Sequence, residues 1–465
     1  MVRISFRRIL RNPSTIKDSL LLTFILLLLF LHLNHITTHL DPTTATLPHP
    51  QVDPTTLPHL LFSIASSSTS LPKRIPYIRL WYNPNTTRAF IFVDHKISNV
   101  FSGVPQVRVS APTDSFAYTF PKGFRSAIRV ARIVKEAVEL NESDVRWFVF
   151  GDDDTVFFVD NLVKCLGKYD HEKWYYIGSN SESFEQNDKY AFGMGFGGGG
   201  FAISYGLGRV LARVLDSCLV RYSHLYGSDS RIYSCLIELG VELTREPGFH
   251  QVDVRGDLFG MLTSHPLSPL LSLHHFDAID PIFPKMNQIQ ALEHLFKAAN
   301  VDPARTLQQT VCYDRSNSLT VSVAWGYAVQ VHEANVLLPD LLPVQRTFRP
   351  WRRGKDTSSS HYMFNTREYF RDPCKRPAVY FLNSVTPFKS GVYTDYLRHN
   401  FGVCSEPDII QNLKSIRIIS HTLYLDPEQM KAPRRQCCNI LSVSSNMLVA
   451  EIKKCGADEL ISMQN

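Results

Sequence analysis

The chain has 465 residues, 44% of them hydrophobic and 20% charged, an ordinary globular balance and enough length for one large domain or two medium ones. Its formal net charge is +6, and much of it gathers at the start, where Arg3, Arg7, Arg8, Arg11 and Lys17 face only Asp18. The remainder is close to neutral, so charge gives no support to a nucleic-acid partner.

Leu20 to Leu33 reads LLLTFILLLLFLHL, with basic residues before it and a Thr/Pro/His-rich stretch after it. The strict apolar core is shorter than the roughly 20 residues a spanning helix needs, but extension to Leu40 supplies the length. A signal anchor over residues 20–40 is favoured over a cleavable signal peptide, because no small-x-small cleavage site follows. Residues 1–19 then form a cytoplasmic tail, and the bulk of the chain is lumenal by the positive-inside rule. A short span suits an early-secretory membrane. The sequons Asn85-Thr86-Thr87 and Asn141-Glu142-Ser143 fit that compartment. So does the expectation that several of the nine cysteines pair. The odd count leaves one thiol free or available to a partner chain, such as a second copy in a homodimer. No CxxC pair carries zinc-ligand spacing.

Residues 41–76 are rich in Pro, Thr and Ser and read as a flexible stem. From Tyr77 the texture changes. Ala89–Val93 (AFIFV) predicts a strand, Gly123–Leu140 a helix, Trp147–Phe150 (WFVF) a buried strand, and Asn161–Leu166 another helix. Further strands are predicted at Trp174–Ile177, Phe201–Ser204, Leu270–His274 and Leu319–Trp325, and helices at Leu207–Leu219 and Asp229–Leu239. This alternation is the grammar of an α/β domain, with ligands beyond the carboxyl ends of strands. Residues 341–465 are basic and cysteine-bearing and read as a C-terminal extension or small second domain.

The sharpest feature is Asp152-Asp153-Asp154, directly after the strand WFVF and Gly151. Three carboxylates at the end of a buried strand repel one another, and a hard divalent cation with oxygen ligands relieves this. Such an ion, held by few protein groups, keeps sites for phosphate oxygens and can neutralise a departing diphosphate. Without a strand before them, three aspartates would read as a solvated turn capping the next helix. Gly193–Gly200 (GMGFGGGG) removes side chains where backbone approaches a ligand or turns through positive φ; it lacks the GKS/GKT ending of a P-loop. Asp229 opens a helix, which is ordinarily a capping role, and becomes a candidate proton acceptor only over the same cleft. His250, His274 and His275 lie near the later strands, where one could complete a metal site.

At WFVFGDDDTVFFVDNL, YYIGS with GGGGFAIS, YGSDSRIYSCLIELGV and SLHHFDAIDP, the sequence resembles the Fringe-like β-1,3-glycosyltransferase superfamily, and more closely its plant branch. The matching blocks span residues 77–335, within a catalytic domain placed at 77–340. The resemblance implies a GT-A fold with a mixed central sheet flanked by helices. It also implies an inverting, Mn²⁺-dependent transfer from a UDP-sugar to the hydroxyl of a glycan or glycoconjugate, by a single-pass Golgi membrane protein. Carried over by position, Asp154 and His274 become the metal ligands, with His275 and His250 as fallbacks. Asp152, Asp153 and Gly198, Gly199 and Gly200 become donor-binding, and Asp229 the base. Relatives often carry a second acid after the base, whereas here Ser230 follows. That departure keeps open the alternative of a catalytically inactive lectin-like or chaperone protein on the same fold. A metallohydrolase using the same aspartates and histidines is a third reading, which the ordered blocks oppose.

Overall fold

A computed structural model of the chain describes residues 21, 23–32, 53–98, 101–352, 354, 360–400, 408–444 and 446–463. It divides into two units, Met1–Pro54 and Thr55–Asn465. In the first, residues 21 and 23–32 are helical and their leucines and phenylalanines are exposed. No helix among the described residues is long and apolar enough to cross a membrane. Most of the rest of the 20–40 anchor reading lies outside the described residues.

The second unit is a mixed α/β body built on two large sheets. The first has seven strands. β1 (Leu60–Ala65), β2 (Arg88–Val93), β3 (Gln106–Val109) and β4 (Trp147–Asp152) run parallel in the order β3-β2-β1-β4. Beyond β4 the order continues with β7 (Phe201–Ser204), β6 (Tyr176–Gly178) and β8 (Leu243–Arg245), where β7 is antiparallel to both of its neighbours. β1 and β4 are near-continuous apolar runs (LLFSIA, WFVFGD), as strands covered on both faces require. Helix α1 (Leu71–Trp81) packs on one side, turning Ile75, Ile78 and Trp81 inward. On the other lie α2 (Ser126–Glu139), α4 (Tyr205–Arg221) and α5 (Ser228–Glu238), burying Ile128, Ala131, Leu207, Leu211 and Leu215 at helical spacing. Helix α3 (Val159–Leu166) follows β4 after a two-residue strand, β5 (Val156–Phe157).

The stem reading is corrected here. Leu60–Ala65, placed in a flexible segment by composition, is a central strand paired along its length with β2 and β4, and Leu71–Trp81 is a packed helix. Pro72 sits in the first turn, where its missing N–H costs nothing, and Pro76 lies inside the helix. Local propensity opposes that helix, and packing on the sheet overrides it.

The boundary near residue 340 is corrected too. β11 (Gln309–Asp314), β12 (Leu319–Ala324) and β13 (Ala328–His332) continue directly into β17 (Ala378–Phe388), β18 (Gly391–His399), β19 (Ser415–Ser420), β21 (Met447–Lys453) and β20 (Cys437–Val443) as one eight-stranded sheet. The C-terminal third completes a sheet that the supposed catalytic domain begins. Between the sheets lie three short ladders. β5 pairs with β10 (Ser272–Leu273), β9 (Val254–Gly256) with β15 (Phe348–Pro350), and β14 (Val344–Gln345) with β16 (Thr366–Arg367).

Disulfides join Cys218 to Cys235, Cys312 to Cys438 and Cys437 to Cys455 among the described residues. Cys374 is disulfide-bonded as well, whereas Cys165 is a free thiol buried in α3, so it offers no link to a partner chain. Asn85 and Asn141 are exposed, as glycan acceptors must be.

Candidate active site

The chain runs from β1 outward through β2 and β3, then returns to place β4 on the opposite side of β1. Connections leave in opposite directions from β1 and β4, which opens a crevice at their carboxyl ends. Asp152 ends β4 there, Asp153 and Asp154 form the turn, and Ser66 follows β1 beside them. Thr155 ties the turn back: its Oγ accepts from the Asp152 N–H (2.8 Å) and donates to the Gly198 carbonyl (2.7 Å).

The three aspartates do different things. Asp153 is taken up by the protein, its Oδ2 accepting from Ser66 and Ser70, each at 2.6 Å. Asp154 meets His274 Nε2 at 3.1 Å and Arg74 Nη1 at 3.3 Å. Asp152 leans toward the same imidazole, 3.8 Å from Nε2, with 44% of its side chain exposed. Ligand atoms of Asp152, Asp154 and His274 all lie within 4.8 Å of one another. Two carboxylates and one imidazole suit a hard-to-borderline divalent ion such as Mn²⁺, so these residues fit the metal that the motif implies.

His274 reaches this point because of a strand register. Leu273 pairs with Val156 and Ser272 with Phe157, antiparallel, so the residue directly after β10 falls beside the turn that precedes β5. His274 Nδ1 faces the Gln251 carbonyl at 3.3 Å, which fixes the ring and leaves Nε2 for the aspartates. The fallback histidines point elsewhere. His275 pairs with Asp253 at 3.3 Å and stacks on Trp351, with ring centroids 4.3 Å apart. His250 lies between Glu182 (3.2 Å) and His265 (2.9 Å).

Burial alone would raise the Asp154 carboxyl, but His274 and then Arg74 outweigh it and hold it below the usual carboxylate range. Burial likewise pulls His274 down, yet Asp154 beside it raises the imidazole to about 9. Desolvation pushes Asp152 up, with Asp154 and Asp229 adding to it, and the water reaching its exposed edge tempers the rise. Without a metal, the guanidinium of Arg74 and the imidazole of His274 are what balance the acidic turn.

Asp229 occupies the first turn of α5 and lines the same small cavity as Asp152, Gly197 and Phe201. Burial raises its pKa, against hydrogen bonds from the Gly197 N–H and Ser228. The Cys218–Cys235 disulfide fixes α5 to α4 and so sets where this carboxylate stands.

The glycine run makes these approaches possible. A Cβ on Gly197 would sit 2.6 Å from Asp229 Oδ1, and one on Gly198 only 2.1 Å from the His274 ring. Gly199 lies against the Gln251 backbone, donates to Gln251 Oε1 (2.6 Å) and accepts from Ser272. Gly200 adopts φ +85°. Gly198, Gly199 and Gly200 are thus packed between the acidic turn and the His274 segment, and the Gly199 N–H and C=O are both engaged within the protein.

Arg74, Ser66, Ser70 and Gln251 carried no signal in the sequence. The first three fall in the segment read as stem, and Gln251 sits in an irregular stretch. Trp351 belongs to the region read as a separate extension; the β9–β15 ladder carries it onto His275, and the Arg255 guanidinium lies over the indole ring, 4.1 Å from its centroid.

Among known proteins, the family described as "Protein of unknown function, DUF604" matches residues 186–438. The chain is similar to a β-1,3-glucosyltransferase of Mus musculus, 28% identical over 159 residues, which are 32% of this chain and 29% of that protein. A β-1,3-glucosyltransferase of Homo sapiens is 28% identical over 158 residues, 32% of this chain and 28% of the relative. The match therefore spans under a third of either relative's length. Among solved structures, a mannosyltransferase from Pyrobaculum calidifontis in complex with GDP-Man and Mn²⁺ aligns over 43% of this chain and 58% of its own, at 11% identity and a TM-score of 0.27. An active-site mutant of LgtC aligns over 39% of this chain and 72% of its own, at 14% identity and a TM-score of 0.28.

Proposed function

We propose that this chain, which belongs to the DUF604 family of proteins of unknown function, is an inverting glycosyltransferase that moves a hexosyl group from a UDP-sugar to an acceptor hydroxyl, forming a β-1,3 linkage. The observation that carries the reading is the convergence of Asp152, Asp154 and His274 within 4.8 Å, with Asp229 opening onto the same cavity as Asp152. The partial likeness to β-1,3-glucosyltransferases supports the reaction class and the linkage. A GT-A fold and membership of the plant branch of Fringe-like proteins belong to the same proposal, supported by the four sequence blocks and by the crevice at the β1/β4 switch.

Asp154 and His274 would hold the divalent ion, with Asp152 beside them, and a bound Mn²⁺ would supply charge neutralisation for the departing diphosphate. The protein's own work is positional and protonic. Asp229 takes the proton of the acceptor hydroxyl as that oxygen bonds to the anomeric carbon and the bond from that carbon to the diphosphate oxygen breaks, releasing UDP. Its raised pKa makes it a better proton acceptor than a free carboxylate. Ser66, Ser70 and Arg74 hold Asp153 and Asp154 in place, and Gly197 and Gly198 let the base and His274 stand at close range.

The compartment is part of the proposal. Disulfides and exposed sequons support a secretory lumen, and the basic preamble with the following apolar run supports tethering to a Golgi membrane. The acceptor is then a glycan or glycoconjugate.

The test is turnover of UDP-glucose, UDP-galactose and UDP-N-acetylglucosamine by the purified full chain, with and without Mn²⁺. Asp154→Ala should lower turnover about 10²–10³-fold and Asp229→Ala about 10²–10⁴-fold. Transfer that survives EDTA and Asp154→Ala removes the metal role, and unchanged turnover in Asp229→Ala removes the base.

A further inference from the structure

The end of β13 and the segment following β16 enclose a second cavity of about 250 Å³, lined by His332, Arg367, Lys375 and Arg376 among others. None of the residues of the acidic turn, the glycine run or the histidine pair takes part in it. Arg367 is the unusual member. Its Nε donates to the Pro343 carbonyl at 3.1 Å, yet among the described residues no carboxylate comes within ion-pair distance of the guanidinium. His332 Nε2 is buried beside it with no hydrogen-bond partner. Arg376 is held over the Tyr369 ring, 4.2 Å from its centroid, by hydrogen bonds to the carbonyls of Phe370 and Arg371. The acids at the rim, Glu333 and Glu368, are exposed.

A part-buried guanidinium with no counter-ion loses hydration without regaining it as ion pairing, and an orphan ring nitrogen adds to that cost. An oxyanion would satisfy both at once, because the guanidinium fork matches two anionic oxygens and a neutral imidazole can donate to a third acceptor position. We propose that this cavity is an oxyanion-binding site, with Arg367 and His332 as its anchors and Lys375 at its entrance. Burial is consistent with this, lowering Arg367 to about 10 and, with help from the Arg367 charge, His332 to about 4. The imidazole is therefore neutral at ordinary pH and free to donate from Nε2. The shared chemistry is a compact oxyanion, borne either by a free inorganic ion or by the carboxylate of an acidic sugar.

Calorimetry on the full chain at pH 7 and low salt tests the site, with inorganic phosphate, sodium glucuronate and neutral glucose in separate arms. Binding of phosphate alone assigns a free-ion site, and binding of glucuronate with no response to glucose assigns an acidic-sugar site. Either affinity should fall tenfold or more in Arg367→Gln, as loss of a charged hydrogen-bond donor predicts, at about 1.4 kcal/mol per tenfold. Lys375 is exposed, so Lys375→Gln tests the site without threatening the fold and should weaken binding about threefold. No heat from either anion at about 10 mM, where a 1:1 site of ordinary strength would respond, overturns the proposal. So does equal affinity in wild type and both variants.

Discussion

Gly198 shows how little room the candidate active site leaves. His274 must lie flat against the glycine backbone to reach Asp154, and a single methyl at position 198 would overlap the imidazole. Gly198→Ala should therefore swing the ring away and weaken Mn²⁺ binding about 10–100-fold, the range for a disturbed ligand orientation. Calorimetric titration of the variant with MnCl₂ measures this, and unchanged affinity would mean that His274 is not a ligand. Neighbouring backbone is strained in the same place. Val252 and His275 both sit at positive φ (58° and 59°), a region that a β-branched residue enters only when its surroundings force it, at about 1–3 kcal/mol each. Val252 separates Gln251, which orients His274, from Asp253, which takes His275. The strain accompanies a segment that presents the Gln251 backbone carbonyl to one histidine and the Asp253 carboxylate to the other.

Among the elements, the two-residue ladder of β5 with β10 matters more than its length suggests, because a slip of one residue would turn His274 to the other face. The helices behind the sheet are held by ions. On α4, Asp216 accepts from Arg132 (2.8 Å) and Lys135 (2.6 Å) of α2. Burial alone would raise its pKa, but these two donors outweigh it and lower it. A lowered folded value means that the pair stabilises the fold above the unfolded aspartate value, near 4, and that this support disappears as pH falls through the folded value. Urea melts of Asp216→Asn and wild type should then differ at pH 7, by under about 1 kcal/mol for a part-exposed pair, and converge toward pH 3. A difference that persists or grows in acid would assign Asp216 some other role.

On the scale of the whole molecule, the eight-stranded sheet begins with β11 and ends with β20, and Cys312–Cys438 ties these two edge strands together. The link spans 126 residues, so it restricts the unfolded chain strongly and also denies both edges to stray pairing. Replacing both cysteines (Cys312→Ser with Cys438→Ser) should cost about 2–5 kcal/mol in equilibrium urea unfolding. The same sheet explains why residues 341–465 are no appendage. They contribute five of its eight strands, and on the way they lay Trp351 over His275. A truncation near residue 340 would strip one wall from the histidine pair and leave β13 as an open edge.

By itself, the sequence determined what depends on neighbours in the chain. Period and apolar runs located β2, β4, β7 and β12 and the helices α2, α4 and α5, and clustered charge at a strand end singled out Asp152–Asp154. Only the tertiary structure could decide which of three histidines meets those acids, because that choice is made by a ladder between segments more than a hundred residues apart. It also reclaimed β1 and α1 from an apparent stem. LLFSIA is too short, and its surroundings too rich in Ser, Thr and Pro, to announce a central strand until β2 and β4 flank it on either side. Arg74, Ser66 and Ser70 came with them. Side chains that steady a charged turn are chosen by proximity in space, and composition along the chain carries no record of that.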